Sequence, residues 1–425
     1  MCWDGRKGPE QWRGSSAGEK KMPFYEENPK EIKKADLVVG IPSCNEAESI
    51  GYTVEQASKG IRQYFSSLDS VLVNCDNNST DGTKDVFFSA PGDVPRIYLS
   101  TPPGTSGKGS NLRNLYEKAR DLQAKVVVVV EADIKNISPH WIRNLAEPVL
   151  KGAGYVCPLY LRHKYEATLT SSVVYPLMRC LYGRRVRQPN VGDFGFTGKL
   201  LDSFLNSPLW TESVQLYGVD IWMTTIALNS RLPICQAVMG VPKIHRVKDP
   251  YAHLSVLFQQ VVRTIFDQMA IYSNFWLQVR WSKPTSLFGT DSHEVETPLP
   301  VEVNVNQLYE RFLQGFDKYQ GMWERMYDQT ICPKIQEIRS LGLQHFSFPT
   351  QTWARIIFDA ANAYHRMGEP ERATLLDSLL PLYLGKVLSF VKKTERMSLQ
   401  QAEEYIENEC TVFEENKPYL AKIWE

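Results

Sequence analysis

The chain of 425 residues carries no net charge, because 48 Lys and Arg are matched by 48 Asp and Glu. A broad nucleic-acid footprint needs a basic surplus, so nucleic acid is not an expected partner. A local basic pocket for a phosphorylated ligand stays open. The eight cysteines are scattered, with no CxxC pair and no Cys/His spacing suited to zinc. They read as buried thiols in a reducing compartment. The N-terminus is polar and lacks the apolar core of a secretory signal. No run approaches the ~20 apolar residues of a membrane span. These absences together make the cytoplasm the expected location. No internal repeat stands out.

What is present is material for a large core, with 43% hydrophobic and 23% charged residues, at a length suited to two or three domains. Residues 1–34 are rich in Gly, Lys and Glu without a period and read as a flexible tail, in which Pro23-Phe24-Tyr25 is able to pack on the domain. Strands are expected over 35–41, 70–74, 96–100 and 126–130, with helices between them. Acids at Glu46 and Glu48 suit the first turn of a helix opening at Asn45. This alternation implies an α/β, mainly parallel sheet covered on both faces. Further on, 155–161 and 234–241 read as strands, and 171–182 and 219–228 as helices. The stretch 254–279 is long, apolar and helical. Residues 283–302, with Gly289, Pro298 and Pro300, read as a linker. The pattern of 303–425 is almost wholly helical, so the expected division is a 35–282 catalytic domain and a 303–425 all-helical domain.

The most informative stretch is Val126 to Ile134. Consecutive valines suit a strand buried on both faces, and Glu131-Ala132-Asp133 follows where that strand ends. Ligands of open α/β sheets bind at the carboxyl ends of strands. Acidic oxygens there suit Mg2+ or Mn2+ against a diphosphate; an acidic loop or a helix cap is the plainer alternative. Three other loops reach the same edge: 42–48, 76–83 and 104–109. Glu46 is a candidate for ribose hydroxyls or a base edge, or else simply helix-terminal charge. Asp76 is a candidate for a uracil or guanine edge, while the rest of its loop is turn chemistry. The glycine-rich third loop fails as a Walker A motif, because Gly107-Lys108 is followed by Gly109, and it fails as GxGxxG. A loop able to cradle an anion through backbone N–H groups remains, with Lys108 adding charge, or else a tight connection. His245 is of interest only if it folds back on Asp133. The stretch 188–196 reads as a substrate loop. Asp220 sits at a helix start, as a cap or as a binder of a sugar or acceptor hydroxyl.

In this order, Ile41-Pro42-Ser43-Cys44-Asn45-Glu46, Asp76-x-x-Ser79-Thr80-Asp81-Gly82-Thr83, Gly107-Lys108-Gly109 and Glu131-Ala132-Asp133 resemble the GT-A glycosyltransferases, a Rossmann-like fold that uses nucleotide-sugars and a divalent metal. Gln188-Pro189, Gly192, Tyr217-Gly218-Val219-Asp220 and His245-Arg246 are similar to the retaining mannosylglycerate and glucosyl-3-phosphoglycerate synthases. So is the helical C-terminus, at Phe346-Ser347-Phe348 and Thr352-Trp353-Ala354. The resemblance implies that Asp133 and His245 bind Mg2+ or Mn2+. It implies that Glu131 faces the ribose or sugar and that Lys108 neutralises the diphosphate or contacts the sugar. Pro42, Glu46 and Asp76 would frame the nucleotide beside Ala132, and Gly192 and Asp220 would lie near sugar and acceptor. The expected partners are a GDP-mannose- or UDP-glucose-type donor and a small hydroxy acid. A homo-oligomer is compatible with the helical C-terminus. Two departures stand against the glycerate-type acceptor. Cys157-Pro158 replaces a basic neighbourhood, for which Arg162 and His163 are substitutes, and Asn190-Val191 replaces a more Gly-rich form. A polysaccharide or lipid-linked acceptor, a nucleotidyltransferase and a non-catalytic nucleotide-sugar-binding protein are the rivals.

Overall fold

The computed structural model describes residues 25–245, 254–289, 296–327 and 329–424. Nine strands form one sheet in the order β1-β4-β3-β2-β5-β8-β6-β9-β11. They are β1 (Glu26–Glu27), β2 (Leu37–Ser43), β3 (Ser70–Asp76), β4 (Arg96–Ser100), β5 (Val126–Val129), β6 (Tyr155–Leu161), β8 (Phe194–Thr197), β9 (Ile234–Pro242) and β11 (Ser286–Phe288). A separate pair joins β7 (Arg184–Arg185) to β10 (Lys283–Pro284). Strands β4, β3, β2 and β5 run parallel, as the alternation predicts. All four β5 valines are buried, each contributing roughly 1.5–3 kcal/mol of apolar burial.

β8 was not expected. It enters antiparallel between β5 and β6, so the stretch 188–196 is a loop only as far as Asp193 and then a central strand. The helix after β2 also differs from expectation. It spans Ile50–Tyr64 with no acid in its first turn, and Glu46 lies ahead of it, its carbonyl accepting from Ser49 N and Ile50 N. Two expected segments carry structure of their own. Glu26–Glu27, within the expected tail, pairs with β4; Pro23 and Phe24 lie outside the described residues, while Tyr25 meets Tyr98 edge-on. The expected linker opens with β10 and β11, the latter pairing with β9.

The C-terminal residues are helical, chiefly Val305–Met326, Thr350–Arg366, Glu371–Thr394 and Leu399–Trp424. Their apolar faces share one continuous core with the sheet layer. Polar contacts fix the docking: Trp353 Nε1 donates to Ser172 O at 2.8 Å. Buried Arg179 pairs with Glu407 at 2.6 Å and Glu414 at 2.8 Å. Glu371–Thr394 corrects the expectation that no run is apolar enough for a membrane span. It passes that test by length and composition, yet 83% of its apolar window is buried inside the protein.

Candidate active site

The carboxyl ends of β2, β3 and β5 open on a cavity of about 570 Å³. Its lining includes Pro42, Glu46, Lys108, Glu131, Ala132, Asp133, Arg162, Asp220 and His245. Nine residues singled out in the sequence thus meet in one space. Asp76 does not join them. It is fully buried, and its two carboxylate oxygens accept from Ser43 Oγ, Ser79 N, Ser79 Oγ and Tyr98 OH at 2.6–3.0 Å. This corrects its expected contact with a base, because both oxygens are already occupied in fixing the β2 and β3 loops together.

His245 reaches Asp133 through backbone pairing. Ile134 and His245 form an isolated antiparallel bridge, Lys135 N donates to Ile244 O at 2.8 Å, and Asn136 clamps the same segment through Pro242 O and Ile244 N. His245 Nδ1 then lies 3.2 Å from Asp133 Oδ1.

Glu131 is held by two ammonium groups. Lys108 Nζ lies 2.8 Å from its Oε1, and Lys243 Nζ lies 2.7 Å from its Oε2. Lys108 also reaches Asp220 Oδ2 at 2.9 Å. Lys243 reaches Asp193 Oδ2 at 2.5 Å and Val191 O at 2.8 Å. Asp193 in turn accepts from Glu131 N at 2.9 Å and Tyr160 OH at 2.6 Å. Burial pushes the Glu131 carboxyl up, but Lys108 and Lys243 outweigh it and hold it well below the usual carboxylate range. Burial likewise opposes both ammoniums, and their carboxylate neighbours hold them above the ordinary lysine value. At Asp220 burial prevails over Lys108 and the pKa rises. Its Oδ1 is buried and without a hydrogen-bond partner among the described residues.

Lys243 and Asp193 are absent from the sequence-based site. One signal for Lys243 was available: at the end of a strand it stands two residues before His245, and alternate strand residues share a face. Asp193 lay within the stretch 188–196 read as a substrate loop, but nothing set it apart from its neighbours there. Gly192 is outside the lining, but it has φ +89°, and a Cβ there would come within 2.4 Å of Glu131 Oε1. It contributes clearance for that carboxylate.

Gly107 and Gly109 serve backbone approach, whereas Gly104 faces open space at φ +81°. A Cβ on Gly107 would meet Gln215 O at 2.3 Å, and one on Gly109 would meet Val214 O at 1.9 Å. Gly109 N donates to Leu216 O. This corrects the anion-cradle reading at Gly109, because its N–H already has a protein acceptor. The close approach of 107–109 to 214–216 sets Lys108 against Asp220.

Glu131, Asp133 and His245 each offer a ligand atom, all within 4.8 Å of one another. The carboxylate oxygens suit Mg2+ or Mn2+, and His245 adds one imidazole donor. Lys108 and Lys243 bring positive charge to Glu131, Asp193 and Asp220, and His245 lies beside Asp133. Glu131, expected to serve the donor's sugars, therefore stands in the same cluster as Asp133.

Residues 38–209 match the family model described as Glycosyl transferase family 2. Among solved structures, the chain is similar to glucosyl-3-phosphoglycerate synthase from Mycobacterium tuberculosis in complex with Mn2+, UDP and phosphoglyceric acid, at 22% identity over 55% of this chain and 78% of that one, with TM-score 0.44. The same synthase with Mg2+ and UDP gives 22% identity over 56% and 80%, with TM-score 0.45. A mycobacterial protein gives 24% over 56% and 75%, with TM-score 0.44. No curated protein matches the chain.

Proposed function

We propose that the chain is a glycosyltransferase that moves a hexose from a GDP-mannose- or UDP-glucose-type donor to a small hydroxy acid such as glycerate or 3-phosphoglycerate, with retention; the match of residues 38–209 to the glycosyl transferase family 2 model supports the transferase class. The observation that carries this reading is the meeting of Lys108, Glu131, Asp133, Asp220 and His245 in one cavity at the sheet edge. Among the described residues no two cysteines are joined by a disulfide, which suits the cytoplasm. We assign catalysis to 35–282 and an acceptor-side wall to 303–425, joined through 283–302.

In this reading Pro42, Glu46 and Ala132 frame the nucleoside, and Asp133 and His245 would hold a divalent cation. The cation supplies charge neutralisation for the departing nucleoside diphosphate. Lys108 adds a fixed positive charge to the same oxygens, preorganised by Glu131 and Asp220. The acceptor oxygen bonds to the anomeric carbon as the bond from that carbon to the diphosphate oxygen breaks, and the electron pair leaves with the diphosphate. With attack on the leaving-group face, the acceptor's proton passes to the departing phosphate. The unpaired Oδ1 of Asp220 orients the acceptor hydroxyl, and Arg162 faces its acid.

Asp133→Ala tests the assignment. The expected outcome is a folded protein whose nucleoside diphosphate release falls by on the order of 100-fold, about 3 kcal/mol, and whose Mn2+ titration by calorimetry is lost. Full activity in that variant, or in wild type with EDTA, would refute it. Pyrophosphate as the product would instead indicate a nucleotidyltransferase.

A further inference from the structure

A second cavity of about 610 Å³ lies against the first, between the end of β6, the β7 segment, residues 284–287 and the helix Leu399–Trp424. The two cavities share Arg162, Ala167 and Thr170 in their linings. A three-carbon acid does not need this space, since cavities of this volume hold ligands many times larger. The polar groups of the second cavity are unevenly paired. Glu403 is bound to Arg187 at 2.7 Å, Glu166 to Arg162 at 3.2 Å, and Glu407 to Arg179 and Tyr175 at 2.6 Å. The remaining acid of the lining, Glu296, is exposed. Arg185, by contrast, has no carboxylate partner among the described residues; its Nε donates to Ser282 Oγ at 3.2 Å. Thr285 Oγ1 is buried without a hydrogen-bond partner among the described residues. Gln236 accepts from Arg187 N through Oε1 at 2.7 Å, which leaves its amide NH2 as a donor. A half-buried guanidinium with two donors beside it calls for an anionic, oxygen-rich ligand.

We propose that the acceptor is an elongated sugar acid or sugar phosphate, whose reacting hydroxyl lies in the first cavity beside Asp220 and whose carboxylate or phosphate lies in the second on Arg185. This rests on the glycosyltransferase reading above and departs from it in the acceptor alone, a longer acid in place of a three-carbon one. Arg162 lies on the shared wall and spans the ligand's middle. The C-terminal helix closes the second cavity through Leu399, Gln400 and Glu403, so the helical part takes a share in acceptor choice.

The test is nucleoside diphosphate release by the full chain, with UDP-glucose and GDP-mannose in Mn2+, across four acceptors: D-glycerate, glucose 6-phosphate, methyl glucuronide and neutral methyl glucoside. The expected result is an acceptor kcat/KM at least tenfold higher for the glucose phosphate or the glucuronide than for glycerate and the neutral glucoside. Arg185→Ala should collapse that preference to within about twofold by raising acceptor KM, and Thr285→Val should raise it several-fold. Arg184→Ala, exposed and outside the lining, should behave as wild type. Glycerate used as well as the longer acids, or a preference that survives Arg185→Ala, would overturn the inference while leaving glycosyl transfer intact. Donor binding in thermal shift without transfer to any of the four also overturns it. Absence of donor binding sinks both readings.

Discussion

At Lys243 one ammonium, 1% exposed, meets the carboxylates of Glu131 and Asp193, the second of them fully buried. Removing one member of such a pair leaves a charge in a low-dielectric site without its counterpart. Lys243→Met should cost about 3–5 kcal/mol in urea unfolding, and adding Asp193→Asn should recover part of it. An unchanged midpoint in the single variant would show that water reaches Asp193. Glu131 links the same network to pH. Its folded pKa lies below the ordinary 4.5. The stability it contributes is therefore fully present above pH 4.5 and is lost as pH falls through the lowered folded value. Asp220 has the opposite sign: its pKa is raised above 3.8, so its contribution is present below 3.8 and fades as pH rises through the folded value. Glu131→Gln should flatten the acid limb of a stability-against-pH curve. An unaltered limb would assign acid sensitivity to other carboxylates.

At the scale of elements, the segment 107–109 and the segment 214–216 lie at backbone distance. Gly109→Ala would force a Cβ to within 1.9 Å of Val214 O, and a backbone oxygen cannot swing aside as a side chain does. The substitution should destabilise by about 1–3 kcal/mol and part Lys108 from Asp220, lowering donor turnover beyond what the stability loss explains. Near-wild-type kinetics would mean that the Lys108–Asp220 contact does not depend on this approach. The glycines were visible in the sequence, but their purpose was not. A phosphate cradle and a close crossing of two backbones ask for the same residue, and only the position of 214–216 separates them.

Across the whole molecule, one core runs from the sheet into the C-terminal helices. Arg179, 3% exposed, has its acid partners on the helix Leu399–Trp424. Lys417 of that helix donates to Cys180 O at 2.8 Å and Val279 O at 2.7 Å. Removing residues 303–425 would strand Arg179 and bare the apolar docking face. The full chain should therefore unfold in a single calorimetric transition, and a 1–302 fragment should lack a cooperative one. Two resolved transitions would establish independent units.

The sequence alone determined that β2, β3, β4 and β5 are strands of a parallel sheet, because strand and helix periods are local properties of consecutive residues; their order came from the structure. It also determined which loops reach the ligand edge, since parallel strands send all their following loops to one side. His245 beside Asp133 was legible only as a condition, met by the Ile134 bridge. Tertiary structure decided the rest. β8 pairs antiparallel with strands whose sequences carry no mark of a partner's direction. Asp76 was diverted from ligand to scaffold by hydroxyls on two other strands and by its own turn. Lys243 met Glu131 across 112 residues of chain, and a contact between groups so far apart leaves no periodic trace in either segment. A carboxylate's chemistry is fixed by its type, but whether it faces a ligand or a neighbouring lysine is fixed only by what the fold places within hydrogen-bond reach.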